Sequence, residues 1–330
     1  MSEANIKAIC GSIVFGALLW AGPSAAVQVD CDKDPPGALQ RAIDAADPHA
    51  SIQVRGTCNE NVTIPQGKEE STLDGGGKAT IHGPDSTAPT IMIKARGTTI
   101  QGLTVTGGAD GIHVNRTADA VIVKNYISNT FLTGIYVQSG QAWIDGNTMQ
   151  RTGRRGIVVN QSGFATIVNN AILNNPDTGI IVAGNAFALI GTLNAPGEMV
   201  ASPNTIQKNG GQGIHVFRSA DAVIVGNDIS DNTLNGIFVQ KGGRCDIADN
   251  TINGNGRNGI HVVGGVGVNL GEDTGDTFLT RPNRTTSNNA GFGIRCEVGG
   301  YADGRLGTLS GDSGAQSYSE GCIGSLISPK

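Results

Sequence analysis

The sequence predicts an all-β chain wound as a parallel β-helix, and three observations carry that prediction. A long internal copy is the first: Gly111–Ile127 (GIHVNRTADAVIVKNYI) returns 102 residues later at Gly213–Ile229 (GIHVFRSADAVIVGNDI). A Gly-Ile dipeptide is the second, with its Gly at 111, 134, 156, 179, 213, 236, 259 and 293. Composition is the third: 50 Gly among 330 residues with 4% aromatics suits many short strands joined by tight turns, not a helical or doubly wound globule.

The dipeptide sets columns. Ile follows every such Gly, from Ile112 to Ile294, and two residues further on stands Val, from Val114 to Val262, replaced in the final unit by Cys296. An Asn lies nine residues before the next Gly-Ile, at 125, 147, 170, 204, 227 and 250. Period-2 alternation within a unit and identity between units mean stacked strands. Each unit is one coil of about three strands, and its strands pair with their counterparts one coil away at roughly 4.8 Å. The Asn column fits a corner, because Asn tolerates left-handed backbone and its amide can bond the amide of the next coil. Leucine-rich spacing and propeller blades of about 40 residues are both absent.

In chain order, residues 1–26 form an export leader. An apolar run from Ala8 to Trp20 precedes Ser24 and Ala26, the small-x-small pattern of a cleavage site. Cleavage near Ala26 leaves an exported chain, extracellular or periplasmic, with no later segment apolar enough to span a membrane. Export permits disulfides. Cys31 and Cys58 lie near one end of the array and Cys296 and Cys322 near the other, so the expected bridges are Cys31–Cys58 and Cys296–Cys322. Cys245 falls in a small inward column with Ala120, Ala142, Ala165 and Ala222, as a buried free thiol.

Residues 27–50 form an N-terminal cap whose helix, Pro36–Ala46, has Leu39, Ala42, Ile43 and Ala46 on one face. Such a helix covers the open first core layer and blocks edge pairing. The coils occupy 51–295 and a C-terminal capping tail 296–330. Two of the Gly-Ile steps are 34 residues instead of 22 or 23, and both insertions leave at the same offset, after Ile190-Gly191 and Leu270-Gly271. They therefore leave one edge, three coils or roughly 14 Å apart. Long loops are where function tends to sit, although duplication alone would also produce the pair.

The outward column between Ile and Val carries His113, Tyr136, Val158, Ile181, His215, Phe238, His261 and Arg295. In the second copy the neighbouring columns add Phe217, Arg218, Gln240 and Lys241. His215, Phe217, Arg218, Phe238, Gln240, Lys241 and His261 thus form a candidate substrate-binding surface: aromatics for sugar rings, an amide for hydroxyls, cations for uronate or sulfate groups. Arg154 and Arg257 border the other edge. The competing reading is that these side chains stabilise the ladder by stacking on one another. A net charge of -5 gives no general support for a nucleic-acid partner.

The GTCNENV segment of the cap and the GI-x-V … N-x-I repeats resemble the right-handed parallel β-helix proteins of the pectin-lyase-like superfamily, in particular exported bacterial proteins with generic β-helix repeats. The resemblance covers nearly all of the mature chain. It implies a right-handed solenoid and a polysaccharide partner, with lyase, hydrolase or epimerase chemistry open. Adhesion or envelope proteins that contact other proteins share the fold, as does a periplasmic copper-related protein; sparse His and no Met cluster count against the last. Hydrolases of the superfamily use clustered Asp residues, and the outward Gly-Ile columns hold none. Lyases use a basic residue, often with carboxylate-bound calcium; calcium is the one cofactor the resemblance leaves open. The epimerase Asp-Pro-His-Asp motif has only a partial counterpart, Asp47-Pro48-His49 followed by Ala50, beside the capping helix. His215 and His261 stand two coils apart, roughly 10 Å, too far to share zinc. The residues assign no catalytic group and no metal site.

Overall fold

The computed structural model describes residues 26–195, 198–271, 281–313, 322 and 326–327; the leader lies outside them. Ten parallel strands stack into one sheet: Val62–Ile64, Ile91–Ile93, Asp110–Val114, Thr133–Gln138, Arg155–Asn160, Ile180–Ala183, Ile214–Phe217, Ile237–Gln240, Ile260–Val263 and Ile294–Glu297. The register is the one the columns predict, with Ile214 opposite Ile237, Ile237 opposite Ile260 and Ile260 opposite Ile294. Each regular coil contributes two further strands to a second, larger sheet, for example Asp221–Val225 and Asp228–Ser230. The Ile and Val columns point inward and are fully buried, making one continuous core along the solenoid axis.

The column glycines are there because backbone approaches backbone. A Cβ built on Gly236 would sit 2.7 Å from the Gly259 carbonyl oxygen, and at Gly213 2.6 Å from that of Gly236. No side chain fits that gap.

Two corners use one device. A residue with left-handed backbone reverses the chain, and the next residue turns its side chain into the core. At the first corner the left-handed residues are Lys124, Gly146, Asn169, Gly226 and Asp249, each preceding a column Asn. The left-handed position is thus one residue before the column expected to hold it, since the column Asn must point inward to bond. There each Nδ2 donates to the Oδ1 of the next coil's Asn, from Asn125 to Asn283, at 2.9–3.1 Å. The second corner repeats this with Asn175, Asn209, Asn232, Asn255 and Asn289, linked at 2.9–3.0 Å. Buried amides are tolerated because each neighbour supplies the missing partner.

The N-terminal end is covered. The helix Ala38–Ala45 buries Leu39 and Ile43 over the first coil. Its first-turn amides at Leu39 and Gln40 donate to the Glu60 carboxylate at 3.1 and 3.0 Å. The ladder begins inside the cap segment, where Val27–Asp30 pairs with Ile52–Arg55. It continues into the tail, where Tyr301–Arg305 pairs with the Gly267–Leu270 rung. The Cys31–Cys58 and Cys296–Cys322 bridges are both formed, and Cys245 is a buried free thiol. The first insertion is a hairpin of Thr192–Ala195 and Glu198–Ala201. Both insertions leave the far end of a second-sheet strand, Phe187–Ile190 or Gly267–Leu270, and so border that sheet, not the Gly-Ile sheet. Residues 272–280 of the second insertion lie outside the described residues.

Candidate functional site

The outward face of the Gly-Ile sheet brings the seven candidate residues together on three consecutive rungs. Pairing places His215 beside Phe238 and Phe238 beside His261, with Phe217 beside Gln240. The rings stack on one another: His215 on Phe238 at 4.9 Å, Phe238 on His261 at 5.1 Å and Phe217 on His215 at 4.3 Å between centroids, with planes 20–23° apart. The ring faces are thus occupied by neighbours, which leaves ring edges toward the outside of the sheet. At the turn that follows each strand, Arg218 and Lys241 have left-handed backbone, and the Arg218 guanidinium lies 5.2 Å over the Phe217 ring.

Burial and partners set the charge state. Burial lowers His215 to about 4, Lys241 and Arg155 push the same way, and Asp177 opposes them. Its ring is therefore neutral at pH 7. Gln240 Nε2 lies 3.0 Å from His215 Nε2 and donates to it, which places the imidazole proton on Nδ1. Burial also lowers His261, against the pull of Glu297. His261 Nε2 donates to Glu297 Oε2 at 2.9 Å, and that bond holds Glu297 below its usual range. Arg295 pairs with Glu297 as well. Glu297 was not among the candidate residues, because only the register shows it to lie diagonal to His261.

On the opposite edge Arg155 Nε and Arg154 reach Asp177 at 3.3 and 3.7 Å. In the first copy His113 sits between Asp110 Oδ2 at 3.3 Å and Gln138 Oε1 at 3.2 Å. Among the described residues, Asp110, Asp177 and Glu297 on this face each meet an imidazole or guanidinium and no two of them stand together, an arrangement that does not fit a calcium ion. Among the described residues one group of potential metal ligands is close enough to share an ion, Cys31, Cys58 and Glu60, and its sulfurs are joined in a disulfide. Asp47-Pro48-His49 lies by the N-terminal cap, where His49 Nδ1 meets Glu70 at 3.0 Å, many rungs from His215.

Stacked parallel coils with buried amide ladders and a helix over the first coil define a right-handed parallel β-helix. The chain belongs to the family described as the right-handed β-helix region, whose model matches residues 50–194 and 190–274. Among solved structures it is similar to the A-module of the mannuronan C-5 epimerase AlgE4 of Azotobacter vinelandii. The TM-score is 0.60 at 16% identity, covering 91% of this chain and 94% of that one. It is also similar to pectate lyase Pel9A, with a TM-score of 0.51 at 12% identity over 86% of this chain and 75% of that one. A cell surface glycoprotein of Methanothermus fervidus is 32% identical over 99 residues, 29% of this chain; the match spans 16% of that protein's length. Among the described residues, no helix is long and apolar enough to cross a membrane.

Proposed function

We propose that the protein is exported, with its leader removed near Ala26, and that it binds an acidic polysaccharide along the Gly-Ile face. One observation carries this reading: a face of stacked rings and amides is edged by Arg218 and Lys241 at the turn, where a polyanion running along the axis meets a cation on successive rungs. The named activities of the structural neighbours, an epimerase and a lyase, are supporting analogy. The described geometry supports a binding role and assigns no catalytic step.

The test is retention of the mature chain on alginate and polygalacturonate, with and without calcium, while new chain ends or unsaturated uronates are followed. Arg218→Ala with Lys241→Ala should weaken retention at least tenfold without changing thermal stability. Undiminished retention by that variant overturns the reading. A second reading, a non-catalytic envelope protein that contacts other proteins, is favoured by the cell surface glycoprotein match. It is the one to pursue if no acidic glycan is retained.

A further inference from the structure

The second sheet carries a cleft of about 580 Å³ on the side of the solenoid away from the Gly-Ile groove. Phe187 closes one end and Tyr301 the other. Register places them four rungs apart, through Asp221, Arg244 and Gly267, which is roughly 19 Å. The adjoining column puts Asp246, Asn269 and Asp303 side by side on successive rungs, and Asn269 Nδ2 donates to Asp246 Oδ1 at 2.8 Å. Part of the wall is bare backbone: Gly265 has nothing within 4 Å of where a Cβ would stand. Gly267 is bare for another reason, because a Cβ there would meet the Tyr301 ring at 2.3 Å. The ring thus lies back over that rung and keeps an exposed side, with 45% of the residue accessible.

We propose that this cleft binds a non-anionic oligosaccharide laid along the solenoid axis between Phe187 and Tyr301. The chemistry differs from that of the Gly-Ile face in three respects. Carboxylates outnumber cations here, three to one, with Asp221, Asp246 and Asp303 against Arg244. That charge repels uronates and sulfates and favours hydroxyl-rich or amino sugars. Ionised carboxylates only accept hydrogen bonds, and vicinal sugar hydroxyls supply paired donors to them; the Asn269 amide between them adds a carbonyl acceptor. The Tyr301 ring, unlike those of His215 and Phe238, has no ring stacked on it among the described contacts and can take the apolar face of a sugar.

The test is titration calorimetry of the mature chain with cellohexaose, maltohexaose and chitohexaose. At least one should bind saturably. Asp246→Asn keeps an oxygen for the Asn269 bond, and Asp246→Asn with Asp303→Asn, once its circular dichroism matches that of the parent chain, should weaken that binding at least tenfold. Tyr301→Ala should weaken it independently. Arg218→Ala with Lys241→Ala should leave it unchanged, which separates this site from the polyanion groove. Saturable binding of none of the three sugars, or equal binding by the Asp246/Asp303 variant, overturns the proposal whatever becomes of the other face.

Discussion

Asn227→Ala tests the claim that amide ladders, and not apolar burial alone, hold the coils in register. Asn227 is buried, 1% exposed, midway along the first ladder. Its Nδ2 donates to Asn250 Oδ1 at 3.0 Å and to the carbonyls of Ile190 and Val225 at 2.9 and 3.2 Å. Its Oδ1 accepts from the Asn204 backbone amide at 3.1 Å and from Asn204 Nδ2 at 2.9 Å. Truncation leaves Asn204 Nδ2 its bond to the Ile167 carbonyl, but the buried Asn204 N–H loses its side-chain partner. An orphaned buried donor costs about 1–3 kcal/mol, and the two lost amide–amide bonds, to Asn250 Oδ1 and from Asn204 Nδ2, about 1 kcal/mol each, so these alone give an expected loss of roughly 3–5 kcal/mol. At about 2 °C per kcal/mol for a chain of this size, the melting temperature should fall by about 6–10 °C. The assay is thermal unfolding followed by circular dichroism. The exposed Gln141→Ala serves as control and should stay within about 0.5 kcal/mol. A fall under about 2 °C for Asn227→Ala would refute the reasoning, since the ladder would then be decorative.

Further outcomes follow from the same structure. The folded state holds His215 at about 4 against an ordinary 6.5, so the unfolded chain binds the extra proton between those values. Stability should therefore fall by roughly 2–3 kcal/mol as pH drops from 6.5 to about 4 and level off below, and His215→Gln should remove that component from urea-unfolding midpoints taken across the window. Gly236→Ala drives a methyl to 2.7 Å from both the Gly259 carbonyl oxygen and Ile252 Cγ2, and should cost about 1–3 kcal/mol by urea unfolding. Burial holds the Cys245 thiol well above its usual range, so the native mature chain should be silent to a thiol reagent and yield one equivalent after denaturation without reductant. Replacing Cys296 and Cys322 by Ala opens a 26-residue link over the last coil and should lower stability by about 2–4 kcal/mol in the same unfolding assay.

The solenoid was legible because its columns are one-dimensional information. A parallel coil repeats the same inward positions, so Ile112 to Ile294 and Asn125 to Asn250 announce the register without any knowledge of the third dimension. The two disulfides followed from the ends of the array, and Cys245 from its alignment with Ala222. Distances and orientations within the face were not legible. Sequence placed His215, Phe238 and His261 on one outward column, yet only coil spacing decides that the rings consume each other's faces. Only register brings Glu297 to His261. The second Asn ladder is legible in the same way as the first, since Asn175, Asn209, Asn232, Asn255 and Asn289 each stand four residues before a Gly-Ile glycine.

The sequence by itself determined the fold, its ends and the outward columns, because a repeat pairs each residue with its own copy. Tertiary structure alone decided which side chains converge across rungs, which corner the insertions leave, and that a carboxylate-lined cleft lies on the sheet away from the cationic groove. Those depend on twist, side-chain direction and the approach of residues far apart in sequence, none of which a column of letters encodes.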